Sequence, residues 1–145
     1  MKLCLMGFLR KKTQMKSTKY EVNFESFTER HFISSFAKKY KGAWNLTLKT
    51  ITEELEQIDF LFLKNTAEII VDSKEIQICK TEFKIAGTEM SRHGSGNRCI
   101  VAIHKNINKV CVLLVYNKTD LGNRNDTATW KKIIKQNYPK YSDML

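Results

Sequence analysis

Two apolar runs, NRCIVAIHKN (97–106) and KVCVLLVYNK (109–118), stand a few residues apart. Each is too short to span a membrane as a helix and too continuously apolar to lie on a surface. They read as neighbouring strands of one sheet, joined by the turn NINK. A link that short permits only antiparallel pairing. The second run is the more apolar, which predicts that it lies at the sheet centre.

The rest of the chain arranges itself around this pair. YEVNF (20–24) alternates and predicts a first strand. Phe27, His31, Phe32, Ser35, Phe36 and Tyr40 then recur at helical spacing, with Ser26 or Thr28 as a cap and Gly42 as the stop. Trp44, Leu48, Ile51, Leu55, Ile58 and Phe62 form a second helical stripe, with Glu53, Glu54 and Glu56 mainly opposite. Two such helices with a short link predict an αα-hairpin. Beyond Leu63 the period shortens, and AEIIVDSKEIQICKTEFKIAG reads as extended segments with a turn at Asp72 and Ser73. Asp126 caps a last helix that turns Trp130, Ile133, Ile134 and Tyr138 inward and stops at Pro139. The expected order is β–α–α–β–β–β–α. The fold class is α+β: an antiparallel sheet with the helical hairpin packed on one face.

A chain of 145 residues that is 42% hydrophobic is long enough for one domain with a real core. Residues 20–145 read as that domain. Residues 1–19 hold six Lys or Arg and no acid, and read as a basic flexible extension, with Met15 as an alternative start. The apolar stretch Leu3–Leu9 carries most of its charge on the wrong side for a secretion signal, so a cytoplasmic location is expected. Cys4, Cys79, Cys99 and Cys111 form no CxxC pair, and His31, His93 and His104 are not spaced as zinc ligands beside them. Buried reduced thiols are expected, with no metal and no cofactor.

The net charge of +10 is uneven. Residues 53–89 carry nine acids against four bases, whereas residues 90–145 carry ten bases against three acids. A basic C-terminal half suits nucleic acid or an acidic protein segment as partner. No run approaches 18 apolar residues, so no transmembrane helix and no membrane partner are expected.

The stretch SRHGSGNR (91–98) delivers Arg98 to the mouth of a strand through a glycine-containing turn. It is not a P-loop, because a strand and not a helix follows and no Lys-Ser or Lys-Thr closes it. A hairpin turn remains, with Gly supplying positive φ. Strict alternation then sorts the three strands. Arg98, Ile100, Ala102 and His104 share a face, opposite Cys99, Val101 and Ile103. Lys80, Glu82, Lys84 and Ala86 oppose Thr81, Phe83 and Ile85. Val110, Val112, Leu114, Tyr116 and Lys118 oppose Cys111, Leu113, Val115 and Asn117. One open face would then gather Lys80, Lys84, Arg98, Tyr116 and Lys118, with Arg92 and His93 on the turn above. Cations around a Tyr, without a carboxylate cluster, suit a phosphodiester. Glu82 reads as a cross-strand partner of a Lys.

FKIAG, SGNRCIVAI and VCVLLVYNKTD, in this order of elements, resemble the RelE/ParE superfamily of bacterial type II toxins over residues 20–138. The resemblance implies a toxin held by a cognate acidic antitoxin and acting as a metal-independent endoribonuclease on mRNA, commonly at the ribosome. It implies a functional Arg at Arg98, a Lys at Lys84 or Lys80, and a basic residue at Lys118. The chain is longer than many members, and neither Tyr138 nor Tyr141 aligns with the C-terminal catalytic Tyr of some. The ParE branch inhibits a DNA topoisomerase without cleaving RNA, so that alternative stays open, as does a basic RNA- or protein-binding module without catalysis. For a nuclease, the 2′-OH attacks its neighbouring phosphate. Arg98 and Lys84 would stabilise the phosphoryl oxygens, and Arg92, Lys80 and Lys118 would bind phosphate. Lys84, Lys80, Tyr116 or His93 would take the proton, and His93 or Lys118 would return it to the leaving oxygen. On this reading Arg98→Ala abolishes cleavage and leaves stability nearly unchanged.

Overall fold

The computed structural model describes residues 19–122 and 125–145. The basic extension and Cys4 lie almost wholly outside them. Strand β1 (Glu21–Phe24) leads into helix α1 (residues 26–39), then α2 (Trp44–Glu56) and the short α3 (Ile58–Leu63). Four strands follow: β2 (Ala67–Asp72), β3 (Ile76–Phe83), β4 (Asn97–His104) and β5 (Lys109–Asn117). Helices α4 (Asp126–Asn137) and α5 (Pro139–Ser142) close the chain.

The fold is α+β, and the sheet has five strands in the order β1-β5-β4-β3-β2. It is mixed, not purely antiparallel: β1 runs parallel to β5, while the other pairs are antiparallel. The extended segments on either side of the Asp72–Ser73 turn are two full strands, β2 and β3, where the expected order of elements counted one. The centre of the sheet is β4, whose eight residues are all buried, and not the more apolar β5. β5 is apolar because β1 covers only its first residues and helices cover both of its faces.

Both faces of the sheet are covered. On one, Phe36, Trp44, Ile51, Leu55 and Ile58 of the hairpin pack against Cys79, Phe83, Cys99, Val101, Ile103, Val110, Val112 and Val115. On the other, Trp130, Ile134, Tyr138 and Tyr141 of α4 and its continuation pack against Ile78, Ile100, Ala102, Cys111, Leu113, Leu114 and Tyr116. Each large side chain removed from water contributes about 1.5–3 kcal/mol. The amphipathic last helix therefore takes the face that strand alternation left for solvent.

A bulge breaks the expected alternation of β5. Ile100 faces Leu114 and Val101 faces Val112, so Leu113 is an extra residue. Val110 and Val112 consequently face the hairpin, while Leu114 and Tyr116 face α4. The backbone groups exposed around the bulge are taken up by side chains. The Tyr138 hydroxyl donates to the Leu113 carbonyl at 2.7 Å, and the Val115 N–H donates to Thr28 Oγ1 at 3.0 Å. Thr28 is thus not a helix cap. Neither is Ser26: Glu25 precedes α1, without a side-chain capping bond. Within α1, residues Glu29–Ile33 form a π turn. The second predicted helix ends early, at Glu56, where the Glu56 carbonyl accepts from the Tyr20 N–H at 2.8 Å. Pro139 does stop α4, and it opens α5. No helix among the described residues is long and apolar enough to cross a membrane.

Candidate functional site

The β3–β4 connection is a long loop, residues 84–96, and not a tight hairpin. Ser95 folds it back: its hydroxyl oxygen lies 2.6 and 2.7 Å from the carbonyls of Phe83 and Arg92, which compete for its single proton. Gly96 enters β4 at φ +75, and a Cβ there would lie 3.3 Å from Asn117 Nδ2, so only glycine fits without strain.

The register places Glu82 opposite Arg98, and Arg98 opposite Tyr116. Arg98 was expected on an open face. It is buried, with 5% of its side chain exposed. Its Nη2 lies 3.1 Å from Glu82 Oε2 and donates to the His93 carbonyl, while Nη1 donates to the Asn97 carbonyl. A guanidinium so occupied holds its neighbours in place. It does not reach out to a ligand.

His93 is the counterpart. Its side chain is 82% exposed, and Nδ1 sits 2.7 Å from the same Glu82 oxygen. A carboxylate on Nδ1 orients the ring and leaves Nε2 as the nitrogen free to meet a ligand. Lys80 lies on the same face of β3 as Glu82, its Nζ 3.4 Å from Glu68 Oε2 on β2. Thr66, Glu68, Lys80, Glu82, His93 and Arg98 line an open cleft of about 210 Å³ at this end of the sheet. Its two cations are each paired with a carboxylate, Lys80 with Glu68 and Arg98 with Glu82, and the oriented His93 ring is the group placed to move a proton at its mouth.

The remaining expected residues do not join this cleft. Tyr116 is buried, and its hydroxyl donates to Asp126 Oδ2 at 3.3 Å. Burial first, then the Asp126 charge and hydrogen bond, push its ionisation far above the ordinary phenol range. It is therefore no base at neutral pH. Arg92 turns to α2 and pairs with Glu54, away from Lys80. Lys84 is exposed, just beyond the end of β3. Lys118 begins the 3-10 turn Lys118–Leu121, against the Gly96 side of the loop. Tyr116 instead helps to line a second cleft, beyond the β5 edge. The single cationic face is thus corrected to a small cleft holding Lys80 and His93: α4 covers Tyr116, Glu82 and loop carbonyls occupy Arg98, Glu54 takes Arg92, and Lys84 and Lys118 lie beyond the strand ends.

Glu82 and Glu68 enter the site although sequence reasoning gave neither a role in it. The strand pattern placed Glu82 on the Arg98 face, but only the register shows the two opposite each other. Cys79, Cys99 and Cys111 are buried and free, and burial pushes the Cys79 and Cys99 thiols up to about 12. Among the described residues, no group of three His, Cys, Asp or Glu side chains is placed to hold a metal ion.

No protein-family model matches the chain, and no curated protein or solved structure is detectably similar to it.

Proposed function

We propose that the chain is a RelE/ParE-type toxin that cleaves RNA without a metal, with His93 as the proton-transfer group. What carries the reading is the His93–Glu82–Arg98 chain at the mouth of β4, with Lys80 beside it. The SGNRCIVAI and VCVLLVYNKTD resemblance and a helical hairpin against one sheet face support it. A net charge of +10 suits an RNA substrate and an acidic antitoxin in the cytoplasm.

In this mechanism His93 Nε2 removes the proton of a ribose 2′-OH. The oxygen attacks the adjacent phosphate, and the bond to the 5′-oxygen breaks. The imidazolium, held in orientation by Glu82, returns the proton to the leaving oxygen. The products are a 2′,3′-cyclic phosphate and a 5′-hydroxyl. Lys80 supplies positive charge to the phosphoryl oxygens. Arg98 acts through Glu82 as a positioning residue and does not touch the phosphate.

The test is incubation of the full chain with mRNA, with and without ribosomes, followed by analysis of the product ends. Cleavage leaving cyclic phosphate and persisting in EDTA is expected. His93→Gln should lower the rate about 10²–10⁴-fold, while stability moves by less than about 0.5 kcal/mol. A fully active His93→Gln protein ends this assignment.

The burial of Arg98 and Tyr116 favours one second reading, a ParE-like inhibitor that keeps the fold without a cleavage site. It predicts inhibition of DNA supercoiling by gyrase with RNA left intact.

A further inference from the structure

A second cleft, of about 400 Å³, lies between α1 and the ends of β4 and β5. Its volume falls within the range of small-ligand sites. One wall is a face of α1 and the residue after it, carrying Phe32, Phe36 and Tyr40. The opposite side is formed by Tyr116 and the amides of Asn97 and Asn117, with Asp120 on the exposed rim.

These walls are prearranged. Phe36 stacks between Tyr40 and Trp44, with ring centres 6.3 and 5.0 Å away. His31 and Phe32 both pack against Phe27, at 4.7 and 6.0 Å. The π turn at Glu29–Ile33 lies where α1 passes this cleft, and such turns recur at binding sites. Lys39 stands over the Tyr40 ring at 5.4 Å, which keeps a cation at the entrance. Asn117 is locked: its Nδ2 donates to Ser95 O and Asn97 Oδ1, and its Oδ1 accepts from Thr119. Asn97 Oδ1 is thereby occupied, and the Asn97 Nδ2 group is the end of that amide suited to donate to a ligand edge.

Flat aromatic walls, an amide donor, a carboxylate acceptor and a nearby cation match a planar heterocycle attached to a phosphate. We propose that this cleft binds a nucleobase, stacked on Phe32 with Tyr40 as the adjoining wall, and read at its edge by Asn97 and Asp120. The proposal deepens the RNA reading above. Asn97 and Arg98 are consecutive, so the base cleft and the His93 cleft flank the same end of β4.

The probe is the free nucleoside, which carries no phosphate and so bypasses the His93 cleft. Adenosine, guanosine, cytidine and uridine are titrated into the full ¹⁵N-labelled chain, with ribose as control. The expected result is saturable shifts centred on the backbone amides of Phe32, Tyr40, Asn97 and Asn117 with at least one nucleoside and none with ribose. Phe32→Leu keeps apolar bulk and removes the ring face, and should weaken binding about fivefold or more. Tyr40→Leu is the second variant if the first fails to fold. Absence of shifts at these positions up to about 10 mM nucleoside overturns the proposal. So does equal response to ribose, or to indole as a stand-in for a partner's aromatic side chain. Nucleoside binding without RNA cleavage would keep this cleft and remove the nuclease, whereas cleavage without nucleoside binding would do the reverse.

Discussion

The two ends of β4 each place a histidine beside an oxygen partner, and the two histidines have opposite surroundings. At the first end His93 sits on the Glu82 carboxylate with 82% of its side chain in solvent. At the other, His104 is 9% exposed and its Nε2 lies 2.7 Å from the Tyr141 hydroxyl oxygen. Burial, helped by the positive charge of Lys140 and Lys109, lowers the His104 pKa and keeps it neutral at physiological pH. A carboxylate and open water leave a ring that is oriented and reachable, which is what the proposed proton transfer requires. A phenol beneath a short helix favours a ring that fastens the C-terminal segment to the sheet. The residue type is the same; burial and the neighbouring group separate an open ring from a fastened one.

The hardest test of this contrast is Arg98→Ala. Because Arg98 is the buried member of the His93 end, its removal strands Glu82 without its ion partner. The expected loss is about 3 kcal/mol in urea unfolding, at the low end for broken buried pairs because Glu82 keeps some contact with water. This reverses the expectation that stability would hardly change. A variant as stable as the parent would mean that the guanidinium is free to act on substrate after all.

Tyr141→Phe probes the other end. It deprives His104 of its partner and should cost about 1–2 kcal/mol by the same measurement. On the proposed function it should leave RNA cleavage unchanged. Loss of cleavage with stability intact would move the proposed catalytic role to the His104 end.

The smallest effect is a pH slope. The folded His104 binds its proton less readily than an unfolded histidine, so unfolding takes up protons. Its stabilising contribution is fully present above the unfolded histidine pKa of about 6.5 and is lost as pH falls below it. The urea midpoint should therefore drop between pH 8 and pH 5, and His104→Gln should flatten that drop. An unchanged slope in the variant would show that His104 is not the group that titrates.

Much of this architecture was readable from residues in order. The helical stripes from Phe27 to Tyr40 and from Trp44 to Phe62, and the two apolar runs after Asn97, gave the hairpin and two of its neighbouring strands. Their spacing is a local property, set by 3.6 residues per helical turn and two per strand repeat. The parallel β1–β5 pairing was not readable, because it joins residues more than eighty positions apart. The Leu113 bulge was hidden too, since an unbroken apolar run looks the same whichever face each residue takes. The candidate site suffered most from a global fact. α4 lies across Tyr116, and Glu82 with the β3–β4 loop closes over Arg98; nothing in the strand sequences records either packing.

The sequence by itself determined an α+β chain with a helical hairpin, a basic C-terminal half and Arg98 at the start of a strand. Those features follow from hydrophobic period and residue charge, which act along the chain. Only the tertiary structure decided that Arg98 is buried, that Glu82 links it to His93, and that Tyr116 belongs to Asp126. The reason is physical: whether a charged group meets water, a ligand or a partner depends on what other segments pack above it, and packing is settled between elements distant in sequence.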